Sequence, residues 1–161
     1  MKRLLLLRHA HAEAAHAGTE DIDRHLSPRG RSEALDAADC IARAGLRCDA
    51  LLVSPALRTR ETATLVAAEL DLPLRLTIET ELYPGEPAAL LRTLSHCRAN
   101  YETVMIVGHN PGISELAQRF NQQTAPPAEL HTAGLCLISF PADVRWDQLR
   151  PRLATDFRLL R

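Results

Sequence analysis

Lysine is almost absent from this chain. Lys2 is the only one, so all but one of its 19 cationic side chains are arginines. They face 20 acidic residues, and the net charge of -1 gives no basic footprint for nucleic acid. The arginines do make planar recognition of anions readily available. Aromatic residues are only 4% of the sequence, and with near-neutral charge this sets a monomer as the expectation. Cys40, Cys48, Cys97 and Cys136 are scattered with no CxxC pair, which suggests neither a zinc cage nor a redox motif. No long apolar run is present. The N-terminal one is too short for a signal peptide and far too short to cross a bilayer, so a cytoplasmic protein without membrane attachment is expected. Repeats, low-complexity tracts and linkers are also missing. The 161 residues, 46% hydrophobic and 24% charged, fit one soluble domain over 1–161.

What is present begins at once. Leu4 to Leu7 form a short unbroken apolar run ending in Arg8-His9, the pattern of a strand buried on both faces. A polar loop from His11 to Leu26 follows. Ser27-Pro28 then supplies a cap and a first-turn proline for a helix that Gly45 ends. Ala50–Val53 is a second buried strand, and Ser54-Pro55 repeats the cap signal for a helix from Pro55 to about Leu70. Leu74 to Ile78 reads as an edge strand. A loop with a Pro84-Gly85 turn leads to a helix over Pro87 to Cys97. Val104–Val107 is a third buried strand running into Gly108-His109, with Asn110 as cap and Pro111 as first residue of a helix through Phe120. A proline-containing loop spans Asn121 to Leu130. Leu135 to Phe140 is a fourth strand, and Trp146 to Leu159 a terminal strand or tail. Alternating strands and helices predict an α/β sandwich with a largely parallel sheet.

In such a sheet the strand ends lie along one carboxyl edge, where ligands bind. Arg8 and His9, Arg58 in the turn after strand two, and His109 after strand three would then converge. Two guanidiniums, two imidazoles and two helix amino ends describe a site for a phosphate-sized anion. No GxxxxGK[ST] loop is present, and no cysteine stands at a strand end to act as a thiolate. A histidine can itself attack phosphorus, provided it is neutral. Arg8 and Arg58 are expected to hold His9 unprotonated and to stabilise the equatorial oxygens during transfer.

Arg8-His9-Ala10 after a strand, Ser54-Pro55-x-x-Arg58-x-x-x-Thr62-Ala63 and Gly108-His109 resemble the histidine phosphatase superfamily over roughly Leu4 to Phe140. Most members read Arg-His-Gly at the first motif. Ala10, the short chain and Asp21-x-x-Arg24-x-Leu26-Ser27-x-x-Gly30 resemble its small, SixA-like branch of phosphohistidine phosphatases. The resemblance implies a phosphoglycerate mutase-like three-layer sandwich, with a central mostly parallel sheet and helices on both faces. It implies His9 as the phosphorylated nucleophile, and Arg8, Arg58 and His109 as the phosphate pocket. It implies no metal or organic cofactor. The partner would be a phosphorylated histidine-containing signalling protein or a small phosphate substrate.

Other residues stay open. Glu81 stands in chain order where larger relatives carry the acid that protonates the leaving oxygen, and it also reads as a surface glutamate. Arg24 reads equally as a third phosphate-binding guanidinium or as an ion-pair partner of Asp21 or Asp23. Arg60 and Glu61 read as solvated positions on a helix surface. His9-Ala10-His11 with Glu13 has the spacing of a metal centre. A broader phosphomonoesterase and a non-catalytic phosphate-binding domain are the remaining alternatives.

Overall fold

The computed structural model describes residues 1–72, 76–121 and 129–161. Six strands form one sheet: β1 (Lys2–Arg8), β2 (Ala50–Val53), β3 (Leu76–Ile78), β4 (Thr103–Gly108), β5 (Leu135–Phe140) and β6 (Asp156–Leu159), in the order β3-β2-β4-β1-β5-β6. The first four in that order are parallel, and β5 and β6 join antiparallel. Four helices complete the fold: α1 (Pro28–Arg43), α2 (Leu57–Glu69), α3 (Pro87–Ser95) and α4 (Gly112–Phe120). The chain is therefore the expected mixed, mostly parallel α/β sandwich.

The leucine run of β1 feeds two cores. Leu5 and Leu7 pack with Val53, Met105 and Val107 against α1 and α2, through Ala34, Ala38, Ile41, Ala63 and Val66. Leu4 and Leu6 pack with Leu52, Val104 and Ile106 against α3 and α4, through Leu90, Leu94, Ile113 and Phe120. Successive strand residues point to opposite faces, so an unbroken apolar run is what two covered faces require. The sole lysine anchors the start of this strand. Lys2 Nζ donates to the carbonyls of Ala99 and Tyr101 and lies over the ring of Trp146.

Ser27 caps α1 as expected, its Oγ accepting the Gly30 N–H at 3.0 Å. The other two caps differ. α2 starts at Leu57, two residues later than Ser54-Pro55 suggests, and α4 starts at Gly112 with no side-chain cap. The side chains of Ser54 and Asn110 are engaged elsewhere: Ser54 with His109, and Asn110 with Ser114 and the Leu130 carbonyl. α3 ends at Ser95. The expected edge strand is described from Leu76 only, its residues 74–75 lying outside the described residues, as do 122–128 of the expected loop. The tail contains two short turns, Trp146–Gln148 and Pro151–Leu153, before β6.

Candidate active site

Strand order decides the site. β2, β4 and β1 are neighbours, so their carboxyl ends lie side by side and bring Arg58, His109, Arg8 and His9 to one edge. His9 leaves β1 with its backbone N–H on the Gly108 carbonyl at 3.0 Å, which ties the two strand ends together. The next amide, Ala10 N–H, donates to Thr62 Oγ1 at 3.0 Å, and Thr62 donates in turn to the Arg58 carbonyl. The backbone that carries His9 is thereby fixed to the helix that carries Arg58.

His9 Nδ1 lies 2.7 Å from the Ala10 carbonyl, a contact that requires the proton on Nδ1. Nε2 then keeps its lone pair and accepts from Arg58 Nε at 3.3 Å. Burial lowers the His9 pKa to about 4, with the charges of Arg58, Arg8 and Arg24 assisting and the Ala10 bond opposing. The arginines were expected to hold this imidazole neutral. Desolvation does more of it. His109 sits 5.2 Å from His9 between ring centroids and is only 6% exposed. Burial again leads in lowering its pKa to about 3, followed by His9 and Arg58. Its Nε2 is 2.7 Å from Ser54 Oγ, the Tyr83 ring stands edge-on at 5.4 Å, and its Nδ1 is buried without a partner among the described residues.

Arg58, 6% exposed, places Nη1 on the Asp21 carbonyl at 2.6 Å and Nη2 on Asp21 Oδ2 at 3.0 Å. Asp21 also accepts from the Tyr83 hydroxyl at 2.7 Å and from Arg24 Nη1 at 3.0 Å. Tyr83, then Arg24 and Arg58, hold its carboxyl well below the usual carboxylate range against the opposing effect of burial. Arg8 Nη1 donates to the Leu130 carbonyl at 2.8 Å, and its Nε is buried without a partner among the described residues. Two buried nitrogens of the cluster, Arg8 Nε and His109 Nδ1, thus have no partner among the described residues, and unpaired buried polar groups are costly unless a ligand satisfies them.

Of the residues singled out from sequence, Arg8, His9, Arg58 and His109 come together. Arg24 makes the ion pair with Asp21, and its charge reaches His9. Glu81 is exposed and bonds Arg92 Nε at 3.0 Å; its partner is α3, not the cluster. His11 turns its Nδ1 to Ser27 Oγ at 2.6 Å, and among the described residues no group of three or more His, Cys, Asp or Glu could hold a metal ion. Glu61 corrects its reading as a solvated position. Its carboxylate accepts the Leu26 N–H at 2.7 Å and meets His25, fastening the loop that carries Asp21. The contributions of Asp21 and Tyr83 to the cluster were missed. Asp21 is part of the Asp21-x-x-Arg24 pattern, but nothing in the sequence marks Tyr83.

A family model described as histidine phosphatase superfamily (branch 1) matches residues 4–82. An uncharacterized chloroplastic protein of Arabidopsis thaliana is 30% identical over 125 residues, covering 72% of this chain and 57% of that protein. An uncharacterized protein of Mycobacterium tuberculosis is 38% identical over 109 residues, 66% of each chain. The match therefore spans less than two thirds of either relative's length. Among solved structures, a candidate phosphohistidine phosphatase SixA of Nakamurella multipartitia superposes with a TM-score of 0.80 at 27% identity, covering 98% of this chain and 94% of that one.

Proposed function

The chain belongs to the histidine phosphatase superfamily, and from that premise we propose that it is a phosphatase that removes the phosphoryl group from phosphohistidine on a phosphotransfer protein. His9 Nε2 attacks phosphorus in line, forming an N–P bond as the bond to the substrate imidazole breaks. Arg8, Arg58 and the unpaired Nδ1 of His109 bind the equatorial oxygens, where charge accumulates during transfer. Arg58 Nε must leave the lone pair of His9 for this, and a phosphoryl oxygen is its better acceptor. Water then attacks phospho-His9, its N–P bond breaks, and the proton released by water stays on the product phosphate.

The observation that carries the attacking role is the fixed tautomer of His9, with Nδ1 on the Ala10 carbonyl and a neutral Nε2 beside Arg58. The substrate class rests on the carboxylates. Asp21 is held ionised by Tyr83, Arg24 and Arg58, and Glu81 is bonded to Arg92 on α3 and not to the cluster, so neither is placed to protonate an alkoxide. A phosphohistidine protonated on its second ring nitrogen releases a neutral imidazole, so it needs no proton from the enzyme. A nitrogen-linked phosphate therefore suits this site better than an alkyl ester.

The test is turnover in EDTA of a phosphohistidine-bearing carrier protein against a simple alkyl phosphate. We expect rapid loss of phosphohistidine and slow ester hydrolysis. His9→Ala should lower turnover on the order of 10⁴-fold or more while tungstate still binds. Brisk ester hydrolysis would return Glu81 to the acid role and remove the preference for nitrogen-linked phosphate. Activity that appears only on adding metal would overturn the histidine nucleophile.

A further inference from the structure

The two flanks of the cluster differ in charge. On the Arg58 flank both terminal nitrogens of the guanidinium are bonded to Asp21, one of them to its carboxylate, so the cation is directly paired. On the Arg8 flank it is not. Arg8 makes no direct ion pair among the described residues, although the charges of Glu129 and Glu33 reach it; Nη1 meets a carbonyl and Nε has no partner among them.

That flank opens into a cavity of about 580 Å³ lined by Arg8, Arg29, Glu33, His131, Thr132 and Arg161. Three guanidiniums face one carboxylate, and that carboxylate is fully engaged. Glu33 accepts the His11 N–H at 2.9 Å, the Thr132 hydroxyl at 3.0 Å and Arg29 Nε at 3.0 Å. Arg161 Nη1 donates to the Thr132 carbonyl at 2.9 Å, while its Nη2 has only a loose pair with Asp36 at 3.6 Å. Guanidiniums thus outnumber carboxylates in the lining, at a fixed place next to the guanidinium assigned to the transferred phosphate, with Asp36 and Glu129 as the acids that act on them from outside it. A concave site with several convergent cationic groups is suited to an anion.

We propose that this cavity is a second anion subsite, which binds an acidic group carried on the same substrate as the phosphoryl group at His9. The inference rests on the functional reading above, because Arg8 serves both places. The acidic group is a carboxylate, as on a side chain beside a phosphohistidine, or a second phosphate.

Binding of non-hydrolysable probes separates these. Alkylphosphonates are compared with α,ω-bisphosphonates and ω-phosphonocarboxylates of two to four methylenes by calorimetry. The doubly charged probes are expected to bind about tenfold more tightly at the best spacing. Arg29→Gln and Arg161→Gln should each reduce that gain and leave alkylphosphonate binding unchanged. A gain confined to bisphosphonates identifies a second phosphate, and a gain with phosphonocarboxylates identifies a carboxylate. Equal binding of singly and doubly charged probes, or a gain that survives both substitutions, overturns the subsite. Alkylphosphonate binding and phosphohistidine turnover are read separately, so failure of the subsite is distinguishable from failure of the phosphatase reading.

Discussion

At the scale of single residues, the cluster is governed by two imidazoles kept neutral by burial. Their ring centroids are 5.2 Å apart, with Arg58 bonded to one of them, so a proton on either is opposed by desolvation and by the neighbouring positive charge. Ring-proton titration by NMR should give midpoints for His9 and His109 well below the ordinary value of about 6.5, near 4 and 3. The same shifts set a sign for stability. Between about pH 6.5 and pH 4 the unfolded chain takes up protons at both positions that the folded protein refuses. Stability is therefore full above that window and falls as pH drops through it. The His9→Asn/His109→Asn double variant should lose less stability than the parent between pH 7 and pH 4.5, measured by urea midpoints. Equal losses would mean that neither ring is held neutral by the fold.

At the scale of elements, the start of α1 is joined to the loop that follows His9. Ser27 Oγ accepts the Gly30 N–H, donates to the His11 carbonyl at 3.2 Å and meets His11 Nδ1. Gly30 lets the loop cross closely, since a Cβ there would lie 1.9 Å from the His11 carbonyl oxygen. Ser27→Ala should cost about 1 kcal/mol, as lost helix caps do. Gly30→Ala must push the 9–11 backbone away from α1, and should lower turnover as well as the melting temperature. Turnover per folded molecule that matches the parent would show that this crossing does not position His9. The same element boundaries show what was legible in the sequence. Ser27-Pro28, Ser54-Pro55 and Asn110-Pro111 carry one signal, yet only the first is a cap. The other two follow strands that end at the cluster, where Ser54 is bonded to His109 and Asn110 to Ser114 and the Leu130 carbonyl. A cap signal at a strand end that builds a site is drawn into the site.

At the scale of the whole molecule, strand identity was readable and strand order was not. The runs in β1, β2, β4 and β5 are apolar enough to announce themselves, but placing β4 between β2 and β1, and turning β5 and β6 antiparallel, depends on long-range pairing that no local pattern records. The convergence of Arg8, His9, Arg58 and His109 was reachable because each lies at or just after the end of a strand. The contacts that Tyr83 and Asp21 make with the cluster were not, because these two residues belong to connecting segments whose path follows from the finished sheet. This dependence has a measurable consequence. The single tryptophan, Trp146, bonds the Tyr101 carbonyl and packs near Lys2, at the amino ends of β1 and β4. The cluster stands at the carboxyl ends of the same strands, roughly 20 Å away for a seven-residue strand at 3.3 Å per residue. Both ends are tied to the central pair β1 and β4, whose residues are buried in both cores. Loss of tungstate binding and loss of native Trp146 fluorescence should therefore share one midpoint in urea. Binding that fails at a clearly lower urea concentration would mean that the loops bearing Asp21 and Tyr83 open before the sheet does, so the cluster would be a local structure resting on the sheet and not part of its cooperative unit.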